Sequence, residues 1–99
     1  MTDKERFNEI EDIVVSSEAC HCTTRRWNSS LGIFVATLKA DGSRAFDIIY
    51  SQQPNRVVLR FTDRINQRNR KISLRHGQTV SEWTDKINAV FYEYHDLRG

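Results

Sequence analysis

The segment Asn55–Arg75, NRVVLRFTDRINQRNRKISLR, restricts the fold more than any other part of the chain. At its two ends apolar side chains recur at every second position: Val57, Leu59 and Phe61 in the first run, Ile72 and Leu74 in the second. A repeat of two marks an extended strand with one face on a core, because successive side chains leave a strand on opposite sides. A polar stretch joins the runs, so the segment reads as an antiparallel hairpin. Its other face carries Val58, Arg60 and Thr62 from one strand and Lys71, Ser73 and Arg75 from the other. The segment as a whole holds seven bases (Arg56, Arg60, Arg64, Arg68, Arg70, Lys71 and Arg75) against one acid, Asp63. Such a hairpin needs a core beneath it, and its basic face points to a polyanion.

The flanking sequence supplies that core. Thr2 and Glu5 have the spacing of a capping box, and Phe7, Ile10, Ile13 and Val14 follow at helical intervals. A helix is therefore predicted from Asp3. Its end is predicted between residues 16 and 24, because Ala19, Cys20 and Trp27 prolong a helical stripe, with a loop through Asn28-Ser29-Ser30. Leu31–Ala40 reads as a strand, Asp41-Gly42 as a tight turn, and Ala45–Tyr50 as the return strand, with Phe46, Ile48 and Tyr50 on one face. Gln52–Asn55, with its single proline, reads as the next turn. Thr79 and Glu82 form a second capping box before a helix over Val80–Asp96, whose stripe holds Val80, Trp83, Ile87, Val90, Tyr94 and Leu97, with Phe91 beside it. The expected fold is α+β: one domain over residues 1–99, in the order α-β-β-β-β-α. Both terminal helices cover one face of a four-stranded antiparallel sheet.

The formal net charge of +2 conceals a segregation along the chain. Residues 1–18 carry −4, residues 19–77 carry +8 and residues 78–99 carry −2. A field concentrated in the middle segment can steer an anion although the total is small. The competing reading is internal neutralisation of a basic sheet by acidic helices. No segment has the length and apolarity of a membrane span, and no charged-then-apolar leader opens the chain, so the expected compartment is cytoplasmic or nuclear.

Chemistry-bearing motifs are scarce. The Gly-rich phosphate-binding signatures and the nucleophile elbow are absent, so enzyme activity is not expected and no cofactor is implied. Cys20-His21-Cys22 is the only cluster of ligand-type side chains, and its spacing fits no zinc finger or ribbon. Trp27 follows Arg25 and Arg26; it is read as a core anchor, with base stacking beside two phosphate-binding arginines as the alternative.

The opening ERFNEIEDIV, the strand GIFVATLK running into Asp41-Gly42, VVLRFTD, the basic strand RKISLR and the closing amphipathic helix resemble the small Alu-domain RNA-binding subunits of the signal recognition particle. That resemblance implies an α-β-β-β-α fold that pairs to form one basic, curved sheet. AFDIIY departs from it, standing where the larger subunit has a long polar loop, and residues 64–70 are extra. Four strands followed by a Trp83-bearing helix also resemble the PUR-type and coactivator modules that grip single strands. Both resemblances imply nucleic acid on the sheet.

The expected function is nucleic-acid binding by a basic sheet face, with RNA placed ahead of single-stranded DNA. Arg60, Lys71 and Arg75 are expected to line the face, Arg64, Arg68 and Arg70 to form its rim, and Arg25 and Arg26 to add phosphate contacts. The alternative is a protein-interaction module, such as a small viral inhibitor or adaptor. It would meet a partner or form a homo- or heterodimer through a sheet edge.

Overall fold

A computed structural model describes residues 2–28, 31–39, 45–65 and 68–96, the side chains of 94–96 excepted. Helix α1 spans Asp3–Ser16, followed by strands β1 (Cys20–Asn28), β2 (Leu31–Leu38), β3 (Ala45–Gln52), β4 (Arg56–Asp63) and β5 (Asn69–Arg75), and helix α2 (Val80–Asp96). All strand pairs are antiparallel and lie in chain order, β1-β2-β3-β4-β5. The fold is α+β, as the sequence pattern implied, but the sheet has five strands instead of four.

The additional strand replaces the predicted continuation of the first helix. Alternation in CHCTTRRWN is concealed by a register shift between Cys22 and Thr24. Cys20 and Cys22 face the core side; past the bulge, Arg25 and Trp27 take that side instead of residues 24 and 26. The extra residue, Thr23, donates its hydroxyl to the Val35 carbonyl at 3.1 Å. One inserted residue thus reverses the alternation, which is how a bulge acts. Helix α1 ends at Ser16, the near limit of the predicted range, and the Ser17 hydroxyl donates to Asn88 Oδ1 at 2.6 Å, tying α1 to α2.

Both predicted capping boxes form. Thr2 Oγ1 accepts from the Glu5 N–H and Glu5 Oε1 from the Thr2 N–H, each at 3.2 Å. Thr79 Oγ1 likewise accepts from the Glu82 N–H, and Glu82 Oε1 from the Thr79 N–H. These contacts satisfy backbone donors that have no partner inside a helix.

The core lies between the helices and one face of the sheet. Phe7, Ile10, Ile13 and Val14 of α1 and Trp83, Ile87, Val90 and Phe91 of α2 are buried against Phe34, Phe46, Ile48, Tyr50, Leu59, Phe61 and Leu74. Phe7 stacks on Phe34 at 4.9 Å and meets Trp27 at 4.8 Å and Tyr50 at 5.4 Å. Trp27 is therefore a core anchor, held on β1 and not at a helix end. A Cβ placed on Gly32 would stand 2.1 Å from the Phe7 ring, so only glycine admits that ring against the strand. Trp83 is buried and its indole N–H donates to the Arg75 carbonyl at 2.9 Å, fixing α2 to the end of β5.

Val80, predicted on the apolar stripe of α2, is 41% exposed. It opens the helix, one turn before the stripe reaches the sheet. The predicted Asp41-Gly42 turn, the Ser29-Ser30 loop, Leu97 and the Tyr94 side chain fall outside the described residues.

Candidate nucleic-acid interface

Both helices pack on one side, and among the described residues no element covers the other side of the sheet. Strand pairing arranges its outward side chains in cross-strand rows. One row runs Thr24, Val35, Asp47, Thr62, Asn69; the next runs Arg26, Ile33, Ile49, Arg60, Lys71; a third runs Asn28, Leu31, Ser51, Val58, Ser73. Arg56 and Arg75 pair beyond the third row. The open face therefore has an aliphatic centre on β2–β4 and a basic border on β4–β5.

Two features of that border stand out. Arg60 lies directly opposite Lys71, and Arg56 directly opposite Arg75. Like charges opposed across a strand pair are destabilising. Ion pairs among the described residues join Arg6 to Asp3, Arg25 to Glu11, Arg64 to Asp47 and Arg70 to Glu93; none involves these four cations. The border thus carries uncompensated positive charge.

The predicted site residues separate by face. Arg60, Lys71 and Arg75 share the open face, Arg60 opposite Lys71 and Arg75 opposite Arg56. Arg26 shares their face but sits across it, on β1. Arg25 turns to the helix side, where Glu11 Oε1 lies 3.9 Å away. Arg70, opposite inward-facing Phe61, also turns to the helix side and bonds Glu93 at 3.2 Å. Arg64 follows β4 and donates twice to Asp47 Oδ1, at 2.7 and 3.1 Å. That hydrogen bond, together with the carboxylate's charge, raises the Arg64 pKa. Arg68 is exposed just before β5. The expected rim of Arg64, Arg68 and Arg70 is therefore not a single group.

Arg56 is the border residue that sequence reasoning left out of the site. Extending the outward series Thr62, Arg60, Val58 by one more step of two reaches it. The turn predicted over Gln52–Asn55 lies between β3 and β4, with the Gln53 N–H bonded to the Arg56 carbonyl at 2.9 Å, so Arg56 is the first residue of β4.

Between the basic pairs lies a shallow depression of about 630 Å³, lined by Leu31, Ile49, Val58, Ser51, Ser73 and three of the four cations, Arg56, Arg60 and Lys71, among others. Leu31 is 48% and Ile33 39% exposed. The large aromatic side chains of the sheet, Trp27, Phe34, Phe46, Tyr50 and Phe61, all lie on the helix side. On the opposite surface, Glu9, Asp12, Glu18 and Asp85 line a groove between the helices. The charge segregation seen along the chain thus becomes a segregation by face. Only Arg25–Glu11 and Arg70–Glu93 join strand bases to helix acids among the described residues, so internal neutralisation is partial.

Cys20-His21-Cys22 does not converge. Alternation sends His21 to the open face while both thiols turn inward. Burial pushes the Cys20 thiol up to about 11, the opposite of what a metal-binding thiolate requires. No group of three His, Cys, Asp or Glu side chains is placed to hold a metal among the described residues. Nor is any described helix long and apolar enough to cross a membrane.

Comparison with protein-family models, curated proteins and solved structures gave no match to this chain.

Proposed function

We propose that this protein binds nucleic acid, RNA ahead of DNA, through the open face of its sheet. The observation that carries the reading is the pairing of Arg60 with Lys71 and of Arg56 with Arg75, four cations opposed in twos with no carboxylate partner among the described residues. A phosphate placed between the members of each pair converts repulsion into two charge-assisted hydrogen-bonded contacts. The arginine fork suits such contacts, because it can hold phosphate through two parallel N–H donors. Binding, not catalysis, is the proposed role, and its driving force is counterion release from the phosphate backbone.

The test is a titration of fluorescent RNA and DNA oligonucleotides at two salt concentrations. Wild type should bind more weakly at higher salt. Replacing Arg60, Lys71 and Arg75 by Gln should flatten the plot of log K against log salt by about 0.7–0.9 for each phosphate no longer neutralised. Arg70→Gln should leave the slope unchanged, because Arg70 faces the helices and pairs with Glu93. Absence of oligonucleotide binding at low salt would overturn the proposal and favour the protein-partner reading, which the exposed Leu31 and Ile33 would then serve.

A further inference from the structure

We infer that the ligand is a single strand, with a base laid on the aliphatic centre of the face while its flanking phosphates engage the two basic pairs. The inference rests on the nucleic-acid reading above and adds the form of the nucleic acid.

The centre is a contiguous block: Leu31 and Ile33 on β2, Ile49 on β3 and Val58 on β4. Val58 lies between Arg56 and Arg60 on the same strand, so the two basic pairs are about 13 Å apart at a rise near 3.3 Å per residue. Each pair therefore borders the block at one end of its β4–β5 side. A volume of about 630 Å³ lies over Leu31, Ile49 and Val58, with Ile33 directly across the strand pair from Ile49. Sites for small ligands span about 300–1,000 Å³, so the depression has room for a nucleotide.

A duplex would use this face poorly. It presents phosphate and sugar outward and keeps its bases stacked within, so binding through the basic pairs would set polar backbone over Leu31, Ile33, Ile49 and Val58. A single strand can turn a base down instead, and every base has a flat, weakly polar face. Proteins that hold single strands combine a basic track with flat apolar, usually aromatic, surfaces on which bases lie. Here the platform is aliphatic, so little discrimination among bases is expected. Ser51, which stands between Leu31 and Val58, and Ser73 and Gln53, which also line the depression, supply the nearby hydrogen-bonding groups.

The experiment compares a 12-nucleotide single strand with its duplex, for RNA and for DNA, using wild type and an Ile33→Ser/Ile49→Ser variant. Wild type should prefer the single strand by about tenfold, the low end of what one base–aromatic stack contributes, because the platform here is aliphatic. The variant should lose most of that preference while keeping its salt slope, because the cations are untouched. Both replaced side chains project from the face away from the core, and a melting curve checks that the variant folds. The wild-type ratio decides even if it does not. Equal affinity of wild type for single strand and duplex would overturn the inference and leave the proposed function standing. Failure of wild type to bind either form at low salt would overturn the proposed function itself.

Discussion

Neutralising the basic border should stabilise the empty protein while weakening its binding. Lys71→Gln and Arg75→Gln together remove one member of each opposed pair. Directly opposed cross-strand pairs are worth roughly 0.2–1 kcal/mol apiece, so the double variant should gain about 0.5–2 kcal/mol at low ionic strength. All four side chains are solvent-exposed, which screens the repulsion and favours the lower end of that range. A domain of this size shifts by about 4–8 °C per kcal/mol, so the melting temperature should rise by at least about 2 °C. The assay is thermal unfolding by circular dichroism at about 10 mM and 1 M salt, where the screening length falls from about 30 Å to about 3 Å. The gain should be present at low salt and vanish at high salt, with oligonucleotide affinity moving the opposite way. Stability traded for binding in this manner is the mark of a functional surface. A double variant that melts at or below wild type at low salt would refute the reasoning, because the border would then carry no repulsion for a ligand to relieve.

Gly32→Ala should destabilise the fold by about 1–3 kcal/mol, the usual cost of overpacking. The added methyl meets a Phe7 ring already confined by Phe34, Trp27 and Tyr50, and chemical denaturation measures the loss. Stability should also fall at high pH. Burial, reinforced by the Asp3 carboxylate, pushes the Tyr50 hydroxyl up to about 12 from 10, and burial takes Cys20 to about 11 from 9. The unfolded chain therefore releases these protons first. Their contribution is complete below about pH 9 and is lost progressively towards pH 12, which urea melts across that window should reveal. Half-buried Cys22 should react with a thiol reagent at pH 8 before fully buried Cys20, as mass spectrometry of partly labelled protein would show.

The legible parts of this fold are those where one local rule acted alone. Thr2–Glu5 and Thr79–Glu82 are capping boxes wherever they precede a helix, and the alternation of β3 and β4 is uninterrupted. β1 was not legible because the bulge at Thr23 inverts its alternation midway, and because Arg25, a charged residue, occupies an inward position at the sheet edge. The same limit governed the site. Arg60, Lys71 and Arg75 could be grouped from parity within a single hairpin. That Arg25 and Arg70 turn away depends on register and on the acids that α1 and α2 bring to them, Glu11 and Glu93. The aliphatic block was invisible for a related reason: its members sit on three strands, and each alone reads as ordinary strand composition.

Strand order that follows chain order also bears on how the protein reaches this state. Every strand pairs only with its sequence neighbours, so each hairpin closes a short loop and the sheet can zip up from either end or the middle. The costly closure is the meeting of the two chain ends, where Ser17 reaches Asn88 across 71 residues. Helix docking is therefore expected late, after the transition state. Mutational φ-values should be high in β3 and β4 and near zero for Ser17→Ala, and a high value at Ser17 would reverse that order. Until the helices arrive, the phenylalanines of β2–β4 lie open to water beside a fully formed basic face. In that order of events, the basic face would be assembled before the core that supports it is sealed.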